Sequence, residues 1–201
     1  MKRIAVTGGI AMGKSTVMWM FQEMGADVIN ADDIAHALLE PKGHVWKALY
    51  ERYGDRIIQS ANVIDRAALG RIVFGDERER AFVEHLMHPR IHDEILKLGA
   101  VAEKKGRPYI VVEIPLLFEI GGQKEFDAVV VVRCTPQQQL ERCMTKFNLT
   151  HEEALMRIKI QRPIEDKVAQ ADFVIASDAT LAETRVQVHR LFTAFEKGTF
   201  K

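Results

Sequence analysis

The stretch GGIAMGKST, Gly8 to Thr16, follows directly on the apolar residues Ile4, Ala5 and Val6. Its spacing fits G-x-x-x-x-G-K-[ST], a loop that passes from a strand into a helix and wraps phosphates. Few features constrain a fold more. The loop works only between a buried strand and the positive end of a helix, so it predicts an α/β protein with a parallel sheet. The following helix, predicted over 14–24, carries Val17, Met18, Met20, Phe21 and Met24 on an apolar face.

The motif assigns chemistry to individual residues. Backbone amides from Gly9 to Lys14 are expected to turn inward as an anion nest, so Gly9, Ala11, Met12, Gly13, Lys14, Ser15 and Thr16 are the candidate nucleotide contacts. Lys14 is expected to reach the β- and γ-phosphates, and the Ser15 hydroxyl to bind Mg²⁺. The plainer alternative makes Ser15 and Thr16 first-turn capping residues. ATP as co-substrate and Mg²⁺ are the implied cofactors.

Further strands are predicted at 3–7, 27–29, 109–113, 127–133 and 173–176, before a C-terminal helix that ends near Glu196. Ala128 to Val132 is apolar at consecutive positions, as in a central strand buried on both faces. The expected architecture is a three-layer α/β/α fold around a parallel five-stranded sheet. About eighty residues between the second and third strands carry only helical patterns, near 43–53, 66–74 and 77–105, far more than a crossover requires. One kinase-like domain is therefore expected, with a nucleotide core at about 1–32, 108–136 and 170–201. A helical substrate-binding subdomain occupies about 33–107 and a lid about 137–169. The lid holds Arg142, Lys146, Arg157, Lys159, Arg162 and Lys167, read either as phosphate-facing cations or as an ordinary solvated face.

Carboxylates stand where an acceptor would sit. Asp32 follows Val28-Ile29-Asn30 at the carboxyl end of a strand, where ligands of open α/β sheets bind. It can take the proton of an attacking hydroxyl, or it can merely N-cap a helix over 33–40 that Pro41 ends. Pro89 should kink the long helical pattern or start a new helix, holding His88 at a defined angle. His88 is either a ligand contact or a satisfied helical histidine. Glu113 to Glu119 brackets an apolar turn, in which Leu116, Leu117 and Phe118 are core, pocket wall or both. Glu113 is a candidate for holding a Mg²⁺-bound water or orienting Lys14, and Glu119 for meeting a ligand hydroxyl.

With 28 basic and 28 acidic residues the formal net charge is zero, which gives no electrostatic reason for a nucleic acid or an anionic membrane partner. Cys134 and Cys143 show no metal-ligand spacing and read as packing residues, and with no signal-like apolar segment a reducing cytoplasm is expected.

Taken together these segments resemble the dephospho-coenzyme A kinase family over essentially the whole chain. The family shows TGGIGSGKST, VIDAD, HP with an aliphatic, D-x-PLL-x-E, Q-L-x-R, R-I-x-x-Q and A-D-x-V-I followed by Asn. Here these read TGGIAMGKST, VINAD, His88-Pro89-Arg90-Ile91, Glu113 to Glu119, Gln139 to Arg142, Arg157 to Gln161 and Ala171 to Ile175. The resemblance implies phosphoryl transfer from ATP to dephospho-coenzyme A, the last step of coenzyme A biosynthesis. It implies that Asp32 is the base, and that Lys14 and Arg142 stabilise phosphoryl charge. Lys146 is a lid contact to nucleotide, and His88, Leu116, Leu117 and Glu119 belong to the acceptor pocket. Departures are Ala11 and Met12 for Gly and Ser, Asn30 and Glu113 for Asp, Lys146 for Arg, and Ser177 for Asn. Because alanine tolerates positive φ poorly, residue 11 is expected at negative φ. Two alternatives stand beside this reading: a nucleoside-monophosphate kinase, and a nucleotide-binding regulator that has lost catalysis. The VINAD, HP and PLLFE segments favour the coenzyme A precursor over a monophosphate, and no Asn-Lys-x-Asp guanine signature is present.

Overall fold

The computed structural model describes residues 1–199, with Phe74 described by its backbone. In chain order the elements are β1 (Lys2–Gly8), α1 (Lys14–Glu23), β2 (Asp27–Asn30), α2 (Ala31–Leu38), α3 (His44–Tyr53), α4 (Arg66–Gly75), α5 (Glu77–Lys104) and β3 (Tyr109–Glu113). They continue with β4 (Ala128–Arg133), α6 (Pro136–Phe147), α7 (His151–Lys159), α8 (Ile164–Val168), β5 (Phe173–Ala176) and α9 (Leu181–Glu196). By its contacts the chain divides into two compact units, one of Met1–Asn30 with Gly99–Lys201 and one of Ala31–Leu98.

The first unit is built on a five-stranded sheet in the order β2-β3-β1-β4-β5, and every pairing is parallel. Ile4, Val6, Val111, Val130 and Val132 pack on one face against Val17 and Phe21 of α1 and Val188 and Phe195 of α9. Ala5, Val129 and Val131 pack on the other against Leu117, Phe118, Ile164 and Val168. Both faces are covered, which is why Val129 to Val132 read as an unbroken apolar run. Val174 on β5 is 38% exposed, as an edge strand permits.

The second unit closes its own core around Val45, Leu49, Tyr53, Ile57, Ile64, Leu69, Leu86 and Met87. α5 runs through Pro89 as one element from Glu77 to Lys104, so no new helix begins there. α2 begins at Ala31 and ends at Leu38, ahead of Pro41 and two residues earlier at each end than the sequence suggested.

The segment predicted as a lid forms three helices, of which α6 and α7 have side-chain caps at their starts and α8 has none. Thr135 accepts from the amide of Gln138 with Pro136 in the first helical position, and Thr150 with Glu153 makes a capping box. Among the described residues no helix is long and apolar enough to cross a membrane. Cys134 and Cys143 are both buried, and burial pushes both thiols up, away from a nucleophilic role.

Candidate active site

β1 ends in Gly8 beneath the middle of the sheet, at φ 148, where a β-carbon would lie 2.2 Å from the carbonyl oxygen of Val132. Only glycine lets β1 and β4 approach this closely while the chain turns away. Gly13, at φ 89, is the left-handed N-cap residue of α1. The loop between them sits at the positive end of a helix that carries no acidic residue in its first turn, a favourable place for an anion. Lys14 folds back over the loop. Its Nζ donates to the Gly9 carbonyl at 2.9 Å and the Gly8 carbonyl at 3.4 Å, and the residue is 9% exposed.

Beside this loop lies a cavity of about 570 Å³ lined by Ala11, Gly13, Ser15, Thr16, Arg142 and Lys146. That size lies within the range of small-molecule sites. Loop residues and two lid cations predicted to bind nucleotide thus meet around one space within the first unit. Arg142 does not float in it: Nη1 donates to Ser177 Oγ at 3.1 Å and Nη2 to the Ser177 carbonyl at 2.8 Å. Lys146 lies 5.6 Å from the Phe147 ring centroid, and Arg157 lies 5.5 Å from the same ring.

Several expectations need correction. Ala11 has φ 58, not a negative value. The left-handed region costs an L-residue about 1 to 2 kcal/mol, so the surrounding contacts must hold it there. The inward nest is also smaller than expected. The Ile10 amide donates to Gln161 Oε1 at 2.7 Å and the Met12 amide points back to the Gly9 carbonyl at 3.3 Å. Met12 is 1% exposed, so its side chain packs inside the protein and offers no surface to a nucleotide.

At the acceptor turn the two neighbouring leucines part company. Leu116 is 46% exposed, whereas Leu117 is fully buried against Ala5, Val129 and Val131. Leu117 is therefore core and walls no open pocket. Glu119 Oε1 accepts from Lys167 Nζ at 2.7 Å and from the Arg162 amide at 3.1 Å, while Oε2 is buried with no hydrogen-bond partner. Lys167, grouped by sequence with the lid cations, is fully buried and neither solvated nor aimed at phosphates. Asn30 Nδ2 donates to Glu113 Oε2 at 3.5 Å across neighbouring strand ends, so two of the departures from the family pattern face each other.

In the second unit, Asp32 lies in the first turn of α2 rather than at its N-cap, and its side chain is exposed. His88 is exposed on α5. The neighbouring Arg90 donates to the Leu86 carbonyl of its own helix at 2.6 Å and brings its other terminal nitrogen within 3.1 Å of His44 Nδ1 on α3. Three residues outside the predicted site set touch the loop: Gln139, Gln161 and Ser177, the last noted in the sequence only as a departure from Asn. The only sequence signal for the glutamines was their place in the Q-L-x-R and R-I-x-x-Q segments.

A buried parallel sheet, a glycine-bounded loop at a helix start, a folded-back lysine and a three-helix segment that brings Arg142 and Lys146 to the cavity define the class of P-loop kinases. The fold agrees with that of a shikimate kinase from Bacteroides thetaiotaomicron, 15% identical with a TM-score of 0.51 over 97% of this chain and 98% of that one. More specifically, the sequence model of the family described as dephospho-CoA kinase matches residues 2–183, and the chain belongs to that family. The dephospho-CoA kinase of Bacillus cereus is 40% identical over 185 residues, 92% of either chain. That of Listeria monocytogenes is 36% identical over 197 residues, 98% of either chain. The solved dephospho-CoA kinase of Campylobacter jejuni matches with a TM-score of 0.73 and 30% identity over 98% of both chains.

Proposed function

We propose that this chain transfers the γ-phosphoryl group of ATP to the ribose 3′-hydroxyl of dephospho-coenzyme A, giving coenzyme A and ADP. The observation that carries the reading is the meeting of the loop residues Ala11, Gly13, Ser15 and Thr16 with Arg142 and Lys146 around one cavity, in a chain that matches the family over residues 2–183. Phosphoryl transfer asks little covalent chemistry of a protein and much positioning and charge stabilisation.

Lys14, held by two loop carbonyls, is assigned to the β- and γ-phosphates, and Arg142 and Lys146 to charge on the transferring group and nucleotide. A guanidinium offers a planar fork where Lys146 offers a point charge, so Arg142 is the better partner for a trigonal phosphoryl group. Asp32 is assigned as the base that takes the proton of the 3′-hydroxyl. His88, Leu116 and Glu119 are assigned to the acceptor side.

For Mg²⁺ the donor set fits a nucleotide-borne ion. Among the described residues no three His, Cys, Asp or Glu side chains group to hold a metal, while the Ser15 residue lines the cavity. Magnesium commonly takes one or two protein oxygens and completes its shell with phosphate oxygens and water. Bound there, it would neutralise charge on the β- and γ-phosphates.

The test is incubation with ATP, Mg²⁺ and dephospho-coenzyme A, followed by mass-resolved chromatography. A product heavier by one phosphoryl group, absent with Lys14→Ala, is expected. ATP binding without product would overturn the assignment and leave a nucleoside-monophosphate kinase or a nucleotide-binding regulator.

A further inference from the structure

Peptide planes along the loop alternate in direction, and the groups that set the alternation come from distant parts of the chain. In the Gly9–Ile10 plane the carbonyl accepts from Lys14 Nζ at 2.9 Å and the amide donates to Gln161 Oε1 at 2.7 Å. In the Ile10–Ala11 plane the carbonyl accepts from Gln139 Nε2 at 3.1 Å. In the Met12–Gly13 plane the carbonyl accepts from Ser177 Oγ at 2.8 Å. The chain has no cis peptide, so a carbonyl drawn one way points its own plane's N–H the other way. The amides so directed belong to Ala11 and Gly13, and both residues line the cavity.

Gln139 is 6% and Ser177 8% exposed, so their polar groups have little water to turn to and the bonds to the loop are their satisfaction. The loop needs such outside support because Ala11 stands at φ 58, where a side chain opposes the backbone conformation.

We propose that Gln139, Gln161 and Ser177 are positioning residues that clamp the strained loop from outside, drawing two carbonyls away so that the Ala11 and Gly13 amides face the phosphates of ATP. Ser177 extends the clamp to the lid, since its hydroxyl and carbonyl both receive Arg142. This rests on the reading of the loop as an ATP site. Its distinctive consequence is a coupling between the clamp and residue 11. Without the bond from Gln139, the Ile10–Ala11 plane is free to rotate and relieve Ala11, and the amide is lost to the ligand. With glycine in that place there is no such strain to relieve.

The experiment measures ATP affinity by calorimetry for the whole chain and for Gln139→Leu, Ala11→Gly and the double variant, together with steady-state kinetics. Gln139→Leu is expected to weaken ATP about tenfold, the scale of one buried hydrogen bond, with kcat at saturating ATP reduced less than about threefold. In the Ala11→Gly background the same replacement is expected to weaken ATP by less than about threefold. Gln139→Met, which also removes the donor to Ile10 but keeps a flexible side chain, carries the same comparison if Gln139→Leu does not fold. Equal losses in both backgrounds would overturn the clamp, because a glutamine that merely supports the fold is blind to residue 11. If the natural chain binds ATP and the leucine variants bind it as well, the clamp falls and the nucleotide site stands. If the natural chain binds no ATP, both fall.

Discussion

Replacing Lys167 by methionine tests whether the contact between the α8 segment and the acceptor turn is a true buried ion pair. Lys167 has no exposed side-chain surface and meets Glu119 at 2.7 Å, while the Glu119 side chain keeps 19% of its surface. Removing one member of a buried pair costs about 3 to 5 kcal/mol, chiefly because the other charge stays in a poor solvent. Glu119 has some access to water, so Lys167→Met belongs near the lower limit, about 3 kcal/mol. Glu119→Gln strands a fully buried ammonium and belongs near the upper limit, about 5 kcal/mol. Replacing both together, Lys167→Met with Glu119→Leu, removes both desolvation costs and should return to within about 1 kcal/mol of the natural chain. The assay is urea unfolding followed by Trp19 fluorescence. Trp19 lies in α1 of the first unit and Trp46 in α3 of the second, so a Trp46→Phe background makes Trp19 the reporter of the nucleotide core. At a slope of about 2 kcal/mol per molar urea, Lys167→Met should lower the midpoint by about 1.5 M. A shift under about 0.3 M, or a double variant as unstable as the sum of the singles, would refute the reasoning.

Asp32→Asn should lower turnover by about 10²-fold or more with ATP affinity little changed, read by initial rates against a calorimetric ATP titration. Unchanged turnover would end its assignment as base. Gly8→Ala drives a β-carbon to 2.2 Å from a backbone oxygen of β4 and should cost about 3 kcal/mol or more, measured as a lost or strongly lowered thermal transition. Glu79, bonded by Arg52 and Tyr53, has its carboxyl lowered to about 2. A depressed carboxyl gives stability that is full above its unfolded value near 4.5 and is lost as pH falls through about 2. The stability difference between the natural chain and Glu79→Gln should therefore shrink over that window, and a difference independent of pH would contradict it.

Much of the fold was legible because its signals are local. Apolar runs at 109–113 and 128–132 and the glycine spacing after β1 each report a strand or turn from neighbouring residues alone. The site was legible only in part. Leu116 and Leu117 are chemically alike and adjacent, and nothing local says which one the turn drives into the core. Lys167 reads as a solvated helical lysine until Glu119, 48 residues earlier in the chain, is brought against it. The expectation of negative φ at Ala11 followed correctly from intrinsic preference and was overridden by partners that preference does not contain.

A strand, a phosphate-wrapping loop and a helix in succession, and a sheet buried on both faces, could be read from the sequence alone. Those follow from periodicity, glycine spacing and charge, all carried within a few residues. Tertiary structure decided the shape of the loop and what holds it. The groups that grip Ile10 and Met12 stand 129, 151 and 165 residues away, and a hydrogen bond across such a separation leaves no periodic trace in either segment until folding brings them together.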